Sequence, residues 1–366
     1  MRLLIISFSP VVMDVTMPER EPLGGTESSA AYLARQLAAN GHEVSFAARL
    51  PPGTPERVRS VRHVQLHLAA NKEFMDAIDF DAVIALSAPQ AAEQLKQIAP
   101  SAFHVCWLHL LPHEKAMLPL PSMASHIDCA VFVSKTQAGL FHYGARSTVI
   151  GNGIAPSFEN LFATAEELRR AKRNRAVYTS MPYRGLHLLV EVIHRMHGTT
   201  QFDIYSAMQT YRESEEGFTK LYERLRAAPR THYHGALPQS ALPGQLKTAA
   251  FHSYPCSFVE TYCIAALEAI AAGLKVVALD LGALKESTMG FADLMPVTAR
   301  MEDAEIVARY TARLEDNVAA FLANSADWAA ERFEQSQTVN RLCSWRARAQ
   351  EWEQLLLPAI AARRGG

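Results

Sequence analysis

Glu260 and Glu268 stand eight residues apart in the stretch 257–278, SFVETYCIAALEAIAAGLKVVA, with an apolar run between them and Ala-Ala-Gly behind them. Thr261 is a helix-capping residue type, and Ile264, Leu267, Glu268 and Ala271 follow it at helical spacing. Gly273 supplies a stop, and 275–278 reads as a buried strand. Glu260 is therefore expected in the loop before a helix, with Glu268 about two turns inside it. Eight helical residues rise roughly 12 Å, whereas the carboxyls of a retaining glycosidase stand ~5 Å apart. The two acids thus serve opposite ends of something long. Between them, the backbone amides of about 262–264 point out of a helix N-terminus, a ready anion site. A ligand with a hydroxylated group at each end and a diphosphate in the middle suits this layout, and a nucleotide sugar is such a ligand. Spacing alone leaves a second reading open, one surface Glu before a helix and another on its solvated face.

Three further places carry side chains or backbone suited to such a ligand. Gly24-Gly25 precedes Thr26, a cap type, and a helix with Ala30, Leu33, Ala34 and Leu37 on one face that Gly41 ends. Two glycines at a helix entry allow close backbone approach to an anion or sugar. A dinucleotide-binding turn would instead place G-x-G-x-x-G directly after the strand, so a nicotinamide cofactor is not indicated. His109 follows an expected strand at 102–107, and ligands of parallel sheets sit at such strand ends. Arg184 opens the second half's first helix, where a cation can hold phosphate. Histidines 104, 109 and 113 fit no common zinc spacing. The alternating pair His232 and His234 lacks a third ligand, so no metal is expected.

The elements that must position these groups alternate. Strands are expected at 3–6, 44–47, 64–68, 82–86, 102–107, 130–134 and 148–150, with helices near 74–78, 90–98 and 136–143. A second series begins at 175–179 and continues through a strand at 202–205 and a helix at 214–227. A helix capped by Ser240 and a strand at 251–254 follow. Alternation of this kind means parallel sheets covered on both faces. The polar run 166–174 separates the two series, and amphipathic helices at 304–322, 328–334 and 338–357 end the chain. A length of 366 residues, nearly half apolar, accommodates two domains. These are expected at 1–155, joined by a C-terminal helix at 338–366, and at 170–337. Lys plus Arg (36) nearly cancels Asp plus Glu (37), which argues against a dedicated nucleic-acid binder. Five cysteines without a CxxC pair suit reduced cytosolic thiols. The first six residues read as a strand rather than a signal peptide, and no apolar run approaches a membrane span. A cytoplasmic location is expected, with any membrane contact peripheral, at the inner face.

Glu260-x7-Glu268, continued through Gly273 and Val276-Val277, resembles the signature of retaining GT-B glycosyltransferases, especially glycosyltransferase family 4. The resemblance implies two Rossmann-like domains facing across a cleft, with the C-terminal helix packed back on the N-terminal domain. It implies that Glu260 and His109 face the donor sugar and that Glu268 binds the ribose hydroxyls. The amides of Thr261, Tyr262, Cys263 and Ile264 would hold the diphosphate, although the family often has Gly where Cys263 stands. Gly24-Gly25 would border the donor phosphate and the acceptor. Arg184-Gly185 matches the second basic position of the family's G-R-x4-K-G segment, and Ser180 and Met181 stand where the first would be. Gly235, Ala236 and Leu237 resemble the turn that reads the nucleobase through backbone groups. The loop around Gly282 resembles the one closing over the acceptor side.

The expected activity is transfer of a sugar from a UDP- or GDP-sugar to an acceptor hydroxyl, with retention and without cofactor or metal. The acceptor, a glycan, glycolipid or small molecule, is not legible. A nucleotide-sugar epimerase and an inactive donor-binding partner subunit are the rival readings.

Overall fold

A computed structural model describes residues 1–364; Gly365 and Gly366, the end of the expected helix 338–366, lie outside the described residues. The chain divides into two compact units, Met1–Gly153 with Trp345–Gly366 and Ile154–Ser344.

Unit 1 begins with β1 (Arg2–Ser7), whose apolar run is buried on both faces as a central parallel strand requires. The segment that follows contains a short helix α1 (Met17–Arg20). Next come α2 (Gly25–Ala39), β2 (Glu43–Ala48), β3 (Arg57–Val58) and β4 (Val61–Gln65). Then follow α3 (Lys72–Ile78), β5 (Ala82–Leu86), α4 (Ala92–Ile98) and β6 (Phe103–Leu108). The series closes with β7 (Cys129–Phe132), α5 (Lys135–Leu140) and β8 (Ser147–Val149). The sheet runs β3-β4-β2-β1-β5-β6-β7-β8, parallel except for the β3 hairpin on its edge. Thr26 does not cap α2. Gly24 is the N-cap and Thr26 lies inside the first turn, without a side-chain cap.

Unit 2 holds the second series. Its first helix, α6 (Ala165–Ala171), and the start of β9 (Arg173–Thr179) occupy the run 166–174 that was expected to separate the halves. Thr164 caps α6 by accepting from the Glu167 amide, so a polar composition here encodes an exposed helix, not a linker. The chain continues through α7 (Leu186–Arg195), β10 (Gln201–Tyr205), α8 (Thr219–Ala227), β11 (Thr231–Tyr233) and α9 (Leu242–Leu246). Next are β12 (Ala249–Tyr254), α10 (Ile264–Ala271), β13 (Lys275–Leu279), α11 (Leu284–Ser287) and β14 (Asp293–Met295). All six strands are parallel, in the order β11-β10-β9-β12-β13-β14. Ser240 does not cap α9, whose N-cap is Ala241. The helices α12 (Asp303–Ala323) and α13 (Ser325–Cys343) complete the unit. Lys172 is buried and donates to the carbonyls of Ala272 and Leu246, tying down the C-terminal ends of α10 and α9.

After Ser344 the chain returns to unit 1 as α14 (Trp345–Arg364), so the helical break falls at 344 rather than at 335–337. Trp345 packs on Tyr32 of α2 and on Gly153, where an added Cβ would sit 2.9 Å from the indole. Trp352 meets Trp107 of β6 edge-on at 5.1 Å. Trp345 and Trp352 are both buried and belong to the core.

Candidate donor-binding site

In unit 2, Glu260 follows β12 in a loop and is 2% exposed. Arg184 reaches it from the turn after β9, its Nη1 donating to the two carboxylate oxygens at 2.5 and 2.6 Å. The Tyr254 hydroxyl, at the end of β12, donates to Oε1 at 2.6 Å, and the Cys256 thiol lies 3.7 Å from the same oxygen. The guanidinium rests 4.6 Å from the centre of the Phe258 ring and 5.8 Å from that of Tyr183. Two glycines set the approach. Gly185 (φ +94°) lies so close to the Pro255 carbonyl that no Cβ fits, and Gly282 (φ +60°) likewise abuts the Glu260 backbone. The Ala283 amide donates to the Glu260 carbonyl at 2.8 Å.

Burial raises the Tyr254 phenol and the Cys263 thiol well above their ordinary values and pushes Cys256 to about 12, so these groups are neutral. Burial opposes the charge on Arg184, but Glu260 outweighs it and holds the guanidinium protonated. The cation expected to meet phosphate is therefore already paired, although its Nε and Nη2 have no acceptor among the described residues.

The helix behind Glu260 starts later than expected. Thr261 does not cap it. Cys263 is the N-cap, without a side-chain cap, so the amides that open the helix begin at Ile264 rather than at 262. Glu268 consequently lies just past the first turn, not two turns in. It is 5% exposed, and Oε1 accepts from the Ala155 amide at 2.9 Å and from Gln239 Nε2 at 2.7 Å. Burial lifts its carboxyl to about 7 against those two donors. Gln239 comes from the segment that also carries Gly235 (φ +73°), Ala236 and Leu237. Glu268 and the expected base-reading turn are thus joined through one side chain. Gln239, Ala155 and Tyr254 were not anticipated. For Gln239 the only signal was its place two residues beyond Leu237; for Tyr254, its place at a strand's C-terminal end.

In unit 1, Gly24 and Gly25 form the N-cap and first residue of α2. Glu27, in the same first turn, is 8% exposed, and its carboxylate has no hydrogen-bond or ion-pair partner among the described residues. His109 follows β6 directly. Its amide donates to Ser87 Oγ at 3.0 Å, its Nε2 lies 3.3 Å from Asn152 Oδ1, and its ring packs 4.7 Å from Trp107. Burial lowers its pKa to about 4, so the imidazole is neutral. His104 is packed, its Nε2–H donating to the Ala99 carbonyl at 2.8 Å, and His234 pairs with Asp203. Among the described residues no group of His, Cys, Asp and Glu could hold a metal, and no helix is long and apolar enough to cross a membrane.

No protein-family profile and no curated protein matches the chain. Solved structures do. A sucrose-phosphate synthase from Thermosynechococcus elongatus superposes with a TM-score of 0.72 at 16% identity, over 99% of this chain and 100% of that one. A glycosyltransferase from Rickettsia africae gives 0.69 at 17%, over 98% of each chain. Anabaena HepE, solved in complex with UDP and glucose, gives 0.67 at 15%, over 98% of this chain and 100% of that one. The fold is GT-B. The eight-stranded and six-stranded parallel sheets are its two Rossmann-like halves. In this GT-B chain, Glu260, Arg184, Glu268 and the 235–239 segment all belong to unit 2.

Proposed function

We propose that this protein is a retaining glycosyltransferase of the family 4 type, moving a sugar from a nucleotide diphosphate sugar to an acceptor hydroxyl. One observation carries the reading. Two buried carboxylates, Glu260 and Glu268, flank the amide-bearing N-terminus of α10 on a GT-B fold. On this reading Glu268 accepts from the ribose hydroxyls with Oε2, which no donor in the described residues engages. The backbone around Gly235, Ala236 and Leu237 reads the base. The α10 amides, starting at Ile264, and the free edge of Arg184 take the diphosphate, so no metal is required. Glu260 orients the sugar. UDP is the favoured nucleotide, since HepE was solved with UDP and glucose.

Retention without two opposed carboxylates points to front-face displacement, with the leaving diphosphate stabilised where its charge develops. A second reading, an inactive donor-binding subunit, is favoured by one fact: the Arg184 cation is spent on Glu260. Incubation with a panel of UDP- and GDP-sugars, following nucleotide release with and without candidate acceptors, separates these two from an epimerase and from each other. Acceptor-dependent release supports transfer. Tight nucleotide binding with no release from any donor supports the inactive subunit, and release of an altered free sugar without acceptor supports an epimerase.

A further inference from the structure

Among the described residues Arg184 is the only cation paired with Glu260, and Ser180 stands in the same turn, where the resembled segment carries another basic residue. Ser180 Oγ lies 3.1 Å from the Tyr254 hydroxyl, which itself donates to Glu260 Oε1. Since the phenol's proton goes to the carboxylate, the serine must be the donor to the phenol. The relay therefore runs Ser180 to Tyr254 to Glu260. Tyr254 is fully buried, with its ring flanked by His252 at 5.3 Å and Tyr178 at 5.7 Å.

The two carboxylate oxygens are left in unequal states. Oε1 receives Arg184, Tyr254 and the Cys256 thiol, whereas Oε2 receives Arg184 alone. Rotation about the last Glu torsion is broad and nearly two-fold, so an unpinned carboxylate exchanges its oxygens. The phenol breaks that equivalence. We propose that Tyr254, backed by Ser180, is a positioning residue for Glu260, pinning Oε1 so that Oε2 keeps its lone pairs for a ligand hydroxyl. Arg184 stays on the carboxylate through Nη1, and its Nε and Nη2 remain for an anionic group. A neutral relay does this without a second cation competing for the carboxylate charge. The inference rests on the sugar-orienting role proposed for Glu260.

The test uses UDP-glucose as the donor probe, following UDP release by wild type, Tyr254→Phe, Ser180→Ala and the double variant. Tyr254→Phe should lower kcat about tenfold, as expected for loss of one charge-assisted hydrogen bond, with KM and the UDP Kd within about twofold. Ser180→Ala should have a smaller effect alone and none in the Tyr254→Phe background. A parallel urea-unfolding cycle of Tyr254→Phe against Glu260→Gln reads the bond without activity, and its losses should be non-additive. Wild-type kcat in Tyr254→Phe overturns the proposal, as do additive kinetic losses that track a lower folded fraction. If wild type neither binds UDP nor releases it from UDP-glucose, the proposed function fails. The pinning then stands or falls on the unfolding cycle, where additive losses overturn it.

Discussion

Glu268 should make donor binding depend on pH around neutrality. Its carboxyl is raised by burial from an ordinary 4.5 to about 7. For an acid with a raised folded value, the stabilisation is fully present below 4.5 and is lost as pH rises through about 7. The gap corresponds to about 3 kcal/mol between pH 4 and pH 8, since each pH unit is worth about 1.4 kcal/mol. If ribose hydroxyls donate to this carboxylate, as proposed, a bound nucleotide favours the ionised form that the empty site disfavours. Below pH 7 the free protein must release a proton to bind, and affinity should fall about tenfold from pH 8 to pH 6. UDP-glucose is the suitable probe, because its diphosphate diester does not titrate in this interval. Isothermal calorimetry in buffers of differing ionisation heat should show net proton release at pH 6 and little at pH 8. Glu268→Gln should bind weakly at both pH values. It should also unfold in urea with a flatter pH dependence, because its amide oxygen can accept from Ala155 and Gln239 while remaining uncharged. A Kd that is flat from pH 6 to pH 8, together with wild-type affinity in Glu268→Gln, would refute the ribose assignment.

Three further outcomes are expected. Arg184→Ala leaves the Glu260 carboxylate buried without its cation, so urea unfolding of unit 2 should show a loss of about 3–5 kcal/mol, much of it recovered in Arg184→Ala/Glu260→Ala. Arg184→Lys keeps the charge but not the planar fork that reaches Glu260 and an anion together. It should fold normally yet lower kcat for UDP release from UDP-glucose about a hundredfold, and unchanged kcat would exclude the bridging role. Gly282→Ala places a Cβ against the Glu260 backbone at a positive φ, so kcat should fall with little change in UDP affinity, which a titration alongside kinetics would read.

The alternation of apolar strands and amphipathic helices was legible because it is written in local periodicity. The run Leu3–Ile6 reads as a strand and is buried on both faces, and Gly41 and Gly273 mark helix ends by the positive φ they adopt. The eight-residue spacing of Glu260 and Glu268 was legible too, but by itself it does not tell a ligand site from two surface acids. Three capping assignments, at Thr26, Ser240 and Thr261, were nevertheless wrong. A cap depends on one residue's backbone angles, which neighbouring packing sets, and Cys263 and Gly24 took the position instead. The polar run 166–174 was misread for a related reason, since a solvated helix and a linker share a composition. Chemistry of the site was decided only by the tertiary structure. Arg184 and Glu260 are 76 residues apart in sequence, and Ala155 and Glu268 are 113 apart. Which donors meet a carboxylate, and how much water it loses, follow from strand order and burial. No spacing rule could reveal that Glu268 titrates near neutrality or that the Arg184 charge is held by Glu260.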